Sequence, residues 1–298
     1  MTATTPTPRR IALAGASGTI GAAVLRRLEA DGHYVAALPR GAIAEVDALA
    51  EGLADDRIDV VISCIASRSG APHDALAVDY GANSDLLAAA QAAGAEHFIL
   101  LSAICVQKPL LAFQHAKLAF EAELAASGIG YTIVRPTAFF KSLSGQAKRV
   151  KAGKPFLIFG DGNLTRCKPI SDDDLARFIA GCIDNPEMSG KILPIGGPGP
   201  ALSLRDAGEM LFEATGKTPK FKSVSPKMFT WAGRVLGLGA PFSAWFAEKA
   251  EYARIAHYYA TESMLVIDPA TGEYSADLTP EFGQETLESH YRRLLAGV

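Results

Sequence analysis

Short apolar runs alternate with helical patterns over the first two thirds of the chain. The runs are RIALAG, YVAALPR, DVVISCIA, HFILLSAI and YTIVRP, at residues 10–15, 34–40, 59–66, 97–104 and 131–136. Helical sequence separates each run from the next. Strands that are apolar on both faces are typical of a parallel sheet covered by helices on both sides, so the pattern predicts a doubly wound α/β fold.

The alternation of strands and helices fades near Gly196. The rest of the chain is rich in glycine, proline and aromatic residues. This change predicts a smaller lobe that closes over the carboxyl edge of the sheet, where such folds bind ligands. The expected organisation is a flexible tail at residues 1–8, a sheet domain at 9–195 and a substrate-binding C-terminal lobe at 196–298.

Composition narrows the classes of function. The chain has 298 residues, of which 20% are charged and 49% hydrophobic, with a net charge of −3 and a sequence pI of about 6.1. No overall basic field supports a nucleic-acid partner. The four cysteines form no C-x-x-C pair and the six histidines lack metal-site spacing, so no metal site is assigned. The polar start MTATTPTPRR is unlike a secretory signal, and a reducing cytosol is the expected setting.

A glycine-rich turn follows the first apolar run. The stretch GASGTIG places Gly15, Gly18 and Gly21 between a predicted strand and a predicted helix. Glycines allow a tight turn, and free N–H groups at a helix N-terminus favour a pyrophosphate. We therefore expect dinucleotide binding by this turn, with Ser17, Thr19 and Ile20 as further contacts, although a purely structural turn is the alternative. The G-x-x-G-x-x-G spacing resembles the short-chain dehydrogenase superfamily, which makes residues 9–195 a Rossmann-type domain.

The end of the second predicted strand indicates which dinucleotide is used. An acidic residue there would bind the ribose 2′-hydroxyl of NAD, but this chain has Arg40. A guanidinium can bind a 2′-phosphate through two parallel hydrogen bonds. Arg40 therefore favours NADPH, against the alternative of an ordinary surface arginine. Ala66, after the third run, is a further expected cofactor contact.

The stretch FQHAK contains the lysine, but not the tyrosine, of a Tyr-x-x-x-Lys motif. The superfamily's usual Tyr-x-x-x-Lys uses the phenol as an acid or base on a substrate oxygen, while the lysine holds the nicotinamide ribose. Here Lys117 is present but Phe113 occupies the tyrosine position, and a phenyl ring cannot donate a proton. Spacing alone favours the alternative, a solvated lysine on an ordinary helix.

Other candidate cofactor contacts follow the fourth and fifth runs. Ser102 lies at a strand end, where it could face the nicotinamide or bind a backbone group. The stretch VRPTAFF provides Pro136, Thr137 and Phe139 for a carboxamide and an aromatic wall, although core packing explains them as well. In PISDDDLA, Ser171 and Asp174 have the spacing of a helix capping box, and the acidic residues suit a first helical turn.

Several longer stretches resemble one family. These are LLSAICVQKPLLAFQHAKLAFEAEL, YTIVRPTAFFKSLSGQ, CKPISDDDLA, KILPIGGPGPAL and YYATESMLVIDPATGEYS. They are similar to NADPH-dependent divinyl chlorophyllide a 8-vinyl-reductases, from about Asp59 to the C-terminus. The resemblance implies reduction of a C8 vinyl group to ethyl on a magnesium tetrapyrrole. Between Arg40 and Asp59 the chain is short and lacks an expected strand, which leaves its adenine contacts undefined.

This resemblance explains the missing tyrosine, because a vinyl group has no oxygen to protonate. Lys117 would orient NADPH, and Phe113 would become part of an apolar wall. Tyr258, Tyr259 or His257 would then be the proton source. His115, Phe140 and His257 are further candidate substrate contacts.

The apolar stretch from Met228 to Ala247 is interrupted by Arg234 and Pro241. A pair of core helices is the default interpretation. A lid over the pigment is the first alternative, and weak peripheral contact with a photosynthetic membrane is the second. No obligate protein partner is predicted.

Two rival functions share these motifs. One is a short-chain reductase of another conjugated alkene, similar to isoflavone-reductase-like proteins. The other is a non-catalytic NADP sensor or assembly factor, which would tolerate loss of Lys117.

Overall fold

A computed structural model describes residues 8–296, so residues 1–7 of the expected tail lie outside the described residues. The strands are β1 (Arg10–Ala14), β2 (Tyr34–Leu38), β3 (Val60–Ser63), β4 (His97–Leu101), β5 (Gly130–Pro136), β6 (Phe156–Phe159), β7 (Arg166–Cys167), β8 (Lys191–Ile195), β9 (Leu202–Ser203), β10 (Phe221–Val224), β11 (Val266–Ile267) and β12 (Tyr274–Ser275). The helices are α1 (Thr19–Ala30), α2 (Val46–Asp55), α3 (Pro72–Asp74), α4 (Ala82–Ala92), α5 (Ala112–Ala126), α6 (Phe140–Leu143), α7 (Ala147–Lys151), α8 (Asp172–Gly181), α9 (Leu204–Thr215), α10 (Lys227–Gly239), α11 (Ala244–Thr261) and α12 (Leu287–Ala296). A π-helical turn, Ala75–Gly81, joins α3 to α4, and Arg40–Ala44 and Ile104–Gln107 are 3₁₀ turns.

The central sheet has six strands in the order β2-β1-β3-β4-β5-β8, and every neighbouring pair is parallel. The chain leaves β1 for β2 on one side and then returns to β3 on the other. This change of direction opens a crevice at the carboxyl ends of β1 and β3, where doubly wound folds bind ligands. The predicted fold class is confirmed.

Alternating residues of each strand face two separate cores. In β1, Ile11 and Leu13 belong to a cluster covered by α1 and α8, whereas Ala12 and Ala14 belong to one covered by α2, α4 and α5. All four residues are fully buried. Because both faces of the sheet are covered, the strands need apolar residues at every position, which is the pattern that predicted the fold.

The expected gap between Arg40 and Asp59 is confirmed. The segment contains the turn Arg40–Ala44 and helix α2 but no strand, so β2 remains the edge of the sheet.

The second lobe is built from two stretches of chain. Strand β6 pairs with β10, and β7 pairs with β9, so residues before and after position 195 form the same small sheets. Helices α7, α9 and α12 share one hydrophobic cluster that includes Val150, Leu211 and Tyr291. The lobe therefore takes in much of the connection between β5 and α8 in addition to residues 196–296.

Helices α10 and α11 form a hairpin in which α11 is partly buried and α10 is not a core helix. None of the described side chains of α10 is buried, which corrects the default interpretation of this stretch. Trp231 is 68% exposed, Leu238 78%, Phe242 87% and Trp245 56%. The physical reason is that α10 packs mainly on α11 and its outer face has no neighbour. Within residues 8–296, no helix is long and apolar enough to cross a membrane.

Candidate active site

The glycine turn forms a close junction between β1 and α1. Gly15 has φ +84°, a conformation that side chains disfavour, and its carbonyl accepts a hydrogen bond from the Gly18 N–H at 2.9 Å. A Cβ on Gly21 would lie 2.1 Å from the Gly15 carbonyl oxygen. Gly18 caps α1 without a side-chain hydrogen bond, so the first N–H groups of α1 are available to an anion. These features fit the pyrophosphate of a dinucleotide.

Side chains around this turn are mostly exposed. Ser17 and Thr19 are exposed, and Ile20 is buried in the core beneath α1. Lys141 donates a hydrogen bond from Nζ to Thr19 Oγ1 at 2.7 Å, which brings a positive charge to the N-terminus of α1. Arg40 is exposed directly after β2 and makes no hydrogen bond or salt bridge to the part of the chain that the structure describes. A free guanidinium at this strand end is available to a phosphate.

A cavity of about 660 Å³ opens at the carboxyl ends of β3, β4 and β5. The lining includes eight residues named from the sequence: Ala66, Ser102, Phe113, Lys117, Pro136, Thr137, Phe139 and Tyr259. Ile255 and Tyr259 of α11 line it from the second lobe. The volume lies within the range of about 300–1,000 Å³ that small-molecule sites occupy.

Lys117 lies at the polar end of this cavity and pairs with a buried carboxylate. Its Nζ is 3.0 Å from Oδ1 of Asp79, which is 1% exposed, and Lys117 itself is 8% exposed. The Asp79 Oδ1 also accepts a hydrogen bond from the Ser67 N–H at 3.3 Å. Lys117 is therefore a fixed, buried cation and not a solvated helix lysine.

Ser102 belongs to a second buried charge pair. Its hydroxyl donates to Glu121 Oε1 at 2.5 Å, and Arg135 donates to both oxygens of the same carboxylate. Glu121 is 3% exposed, so the guanidinium compensates a charge that water cannot reach. Because its proton is committed to Glu121, the Ser102 oxygen can only accept hydrogen bonds from a ligand in the cavity. An acceptor there suits a carboxamide N–H better than a carbonyl oxygen.

The hydroxyl of Thr137 is also committed. It donates to the backbone carbonyl of Lys168, and the Thr137 N–H donates to Ile195 at 2.9 Å. Thr137, Pro136 and Phe139 therefore shape the cavity wall through their backbone and apolar atoms.

The two adjacent tyrosines have different surroundings. The hydroxyl of Tyr258 lies 3.0 Å from the Cys105 carbonyl and 3.2 Å from the Lys108 carbonyl, and Tyr258 is 3% exposed. It lies outside the lining of the large cavity, so the structure does not bring Tyr258 together with Lys117, and its catalytic role stays a prediction. Tyr259 lines the cavity and is 45% exposed as a whole residue. Desolvation at its hydroxyl end, together with the nearby Cys105 thiol, raises its pKa above the ordinary value.

Three other expected contacts also lie away from this cavity. His115 is exposed on α5, because it is two residues from Lys117 and faces another side of the helix. Phe140 is buried in the core of the second lobe, where its ring packs 5.2 Å from that of His290. His257 lines a separate groove between α10 and α11. The structure therefore does not support these three residues as contacts in the large cavity.

Sequence reasoning missed the charges that hold the site. Asp79 and Glu121 lie in ordinary helical sequence, and only their contacts with Lys117 and Arg135 distinguish them. Ile255 and Met264 complete the apolar lining from the second lobe. The expected cap of α8 is present, since Ser171 Oγ accepts a hydrogen bond from the Asp174 N–H at 3.0 Å. The Asp174 carboxylate instead accepts from the N–H groups of Gln284 and Glu285, so the cap is not reciprocal.

Comparison with known proteins decides the family. Residues 40–186 match a family model described as NAD(P)H-binding. The divinyl chlorophyllide a 8-vinyl-reductase, chloroplastic, of Cucumis sativus is 46% identical over an alignment of 323 positions, gaps included, which covers 98% of this chain and 77% of that protein. The chain belongs to the divinyl chlorophyllide a 8-vinyl-reductase family. The expected resemblance is therefore confirmed.

More distant similarities place this vinyl-reductase family member among related folds. The crystal structure of the NADPH-dependent quinone oxidoreductase QOR2 from Escherichia coli, complexed with NADPH, has a TM-score of 0.66, with 19% identity, over 96% of this chain and 99% of that chain. The photosystem II assembly factor Ycf39 of Synechocystis sp. is 24% identical over 63% of this chain and 62% of that protein. The first similarity shows the Rossmann-type fold. The second shows that chains related to the vinyl-reductase family include an assembly factor.

Proposed function

We propose that this protein uses NADPH to reduce the C8 vinyl group of a divinyl chlorophyllide or protochlorophyllide to ethyl. The observation that carries the proposal is the 46% identity with a named vinyl-reductase over nearly the whole chain. The cavity supports it, because Lys117 is retained while an apolar ring, Phe113, stands where a carbonyl reductase would place its phenol. A reaction on a carbon–carbon double bond does not need that phenol.

The side chains of the cavity divide into a polar end and apolar walls. NADPH, when bound, supplies a hydride. Lys117 orients the nicotinamide ribose, and the Ser102 oxygen accepts a hydrogen bond from the carboxamide. Phe113, Phe139 and Ile255 provide the apolar surface against which a flat tetrapyrrole packs. Excluding water from this surface protects the carbanion character that hydride addition creates on the conjugated ring.

Arg40 accounts for the choice of NADPH over NADH in this proposal. Its guanidinium is exposed after β2, where the adenosine ribose of a dinucleotide is bound in this fold, and among the described residues its charge acts on Asp74 without a hydrogen bond or salt bridge. We therefore expect NADPH to support turnover at concentrations at which NADH does not.

The decisive experiment is turnover by the purified protein. It is incubated with divinyl chlorophyllide and either NADPH or NADH, and the monovinyl product is separated by chromatography. Monovinyl product with NADPH supports the proposal. If no product forms with either cofactor while NADPH binds, the protein is not this reductase, and the sensor or assembly role becomes the better assignment. Reduction of a different conjugated alkene under the same conditions would support the other rival.

Tyr259 is the remaining candidate for the proton donor among the three named from the sequence. A phenol is protonated throughout the neutral range at its ordinary pKa, so the Tyr259 hydroxyl in the cavity lining can donate a proton. We expect Tyr259→Phe to lower kcat by about 100-fold, the lower end of the usual effect of a general acid. Tyr258→Phe is the matched control, because it removes a hydroxyl from the neighbouring position that lies outside the cavity. Equal kcat values for Tyr259→Phe and the unchanged protein would remove Tyr259 from the mechanism.

We propose that the hairpin of α10 and α11 contacts an anionic membrane surface. Trp231 and Leu238 of α10 and Phe242 of the following turn are exposed, and residues 227–247 contain two cations and no acidic residue. Aromatic and aliphatic side chains flanked by cations are typical of interfacial helices. Such contact would bring the cavity close to pigments that partition into the bilayer.

Vesicle sedimentation tests this contact. The protein should pellet with vesicles of phosphatidylcholine and phosphatidylglycerol, and Leu238→Ser/Phe242→Ser should weaken binding at least tenfold, since each side chain contributes about 1.5–3 kcal/mol on burial. Leu278→Ser is the control, because Leu278 is 49% exposed away from the hairpin. If the double variant pellets as well as the control, the hairpin is not the contact.

A further inference from the structure

Asp79 is a buried carboxylate whose hydrogen bonding is only half complete. Its Oδ1 pairs with Lys117 and with the Ser67 N–H, but its Oδ2 is buried without a hydrogen-bond partner among residues 8–296. An unpaired buried polar atom is costly, and among residues 8–296 the same holds only for one oxygen of Asp172. Asp79 also lines the cavity. A carboxylate with unsatisfied hydrogen bonding in the lining of this cavity indicates a role in ligand binding.

The local backbone is arranged to place Asp79 against α5. Asp79 lies in the π-helical turn Ala75–Gly81, a form that is rare and occurs often at functional sites. The wider turn is supported by Asn83, whose amide donates to the carbonyls of Val78 and Asp79 at 3.2 Å each. Ser63 fixes the Asn83 side chain from β3 through a hydrogen bond of 2.5 Å. The backbone turn that carries the Asp79 carboxylate is therefore held from the sheet through Ser63 and Asn83.

We infer that Asp79 is a positioning residue, which acts through Lys117 on the nicotinamide ribose of the dinucleotide. This inference rests on the proposed function. In reductases with Tyr-x-x-x-Lys, the phenol is the lysine's neighbour four residues earlier, but here that position is the apolar Phe113. Asp79 supplies the fixed polar partner that Phe113 cannot. It holds the ammonium in one orientation, so that the remaining N–H groups of Lys117 face the ribose hydroxyls.

The test compares two ligands that share one half of the dinucleotide. NADP⁺ contains the nicotinamide ribose, whereas adenosine 2′,5′-bisphosphate contains only the adenosine end. We expect Asp79→Asn to weaken NADP⁺ binding about tenfold in a calorimetric titration and to leave bisphosphate binding unchanged. Asp85→Asn is the matched control on α4, and it should change neither affinity. If Asp79→Asn weakens both ligands equally, or neither, the assigned role of Asp79 is overturned.

A double-mutant cycle separates positioning from general support of the fold. If Asp79 acts through Lys117, Asp79→Asn/Lys117→Met should bind NADP⁺ no more weakly than Lys117→Met alone. Additive losses would show that Asp79 acts independently and would contradict the inference. Binding of the bisphosphate by the double variant confirms that the protein is folded. Absence of NADP⁺ binding by the unchanged protein would instead contradict the proposed function.

Discussion

Lys117→Ala should lower kcat/KM for vinyl reduction by about 100-fold or more. The lysine is the one cation at the polar end of the cavity whose position is fixed by a buried partner among the described residues. Orientation of reacting groups is worth several kcal/mol, and misplacement of a cofactor by about 1 Å can cost a factor of about 100. Steady-state turnover with NADPH and divinyl chlorophyllide measures the effect.

The same substitution leaves Asp79 as an unpaired buried charge, so the fold has to be monitored. Removing one partner of a buried ion pair costs about 3–5 kcal/mol of the free energy of unfolding. Lys117→Arg is the companion variant, because it keeps a cation beside Asp79 but replaces the compact ammonium with a planar guanidinium. It should keep its thermal midpoint and still lose most activity. Lys148→Ala, at an exposed position, should match the unchanged protein in both measurements.

The outcome also separates the proposed enzyme from a non-catalytic relative. A sensor or assembly factor that merely binds NADP would tolerate the loss of Lys117. Full turnover by a folded Lys117→Arg protein would show that orientation by this lysine is not required.

Features encoded over a few neighbouring residues could be predicted from the sequence. The glycine turn and the doubly apolar strands depend on local spacing, because a parallel sheet repeats one strand–turn–helix unit. The missing strand after Arg40 and the role of Lys117 follow instead from the resemblance to a known family, since spacing alone leaves Lys117 an ordinary helix lysine.

Features that depend on contacts between distant segments could not be predicted. Tyr258 and Tyr259 are neighbours in sequence, but successive residues of a helix point about 100° apart. Which of them faces the cavity is decided by the carbonyls of Cys105 and Lys108, which lie in a remote part of the chain and accept from Tyr258. The pairing of Asp79 with Lys117 likewise cannot be predicted until the π-helical turn Ala75–Gly81 is packed against α5.

The exposure of the hairpin of α10 and α11 could not be predicted for a related reason. An apolar helix pattern shows which face of a helix avoids water, but not whether the protein itself covers that face.

Gly18→Ala and Gly21→Ala should show separately how the glycine turn contributes to NADPH binding and to the stability of the fold. A Cβ on Gly21 would lie 2.1 Å from the Gly15 carbonyl oxygen and 2.7 Å from its carbonyl carbon, both backbone atoms. Relieving this clash requires β1 and α1 to move apart, at a cost of at least about 1–3 kcal/mol. Gly21→Ala should therefore lower the thermal midpoint by several degrees and weaken NADPH binding as the turn distorts.

Gly18→Ala is expected to weaken NADPH binding without lowering the thermal midpoint. Gly18 has φ −78° and ψ 165°, which alanine adopts without strain, and its added Cβ would lie 3.3 Å from the Gly15 carbonyl oxygen. The thermal midpoint should stay within about one degree of the unchanged protein, because a shift of a few tenths of an ångström relieves that contact. NADPH binding should nevertheless weaken at least tenfold, since the methyl group occupies the approach of a pyrophosphate to the start of α1. Unchanged NADPH affinity in Gly18→Ala would mean that the pyrophosphate does not bind at this turn, and the assignment of the cavity as a hydride-transfer site would lose its support.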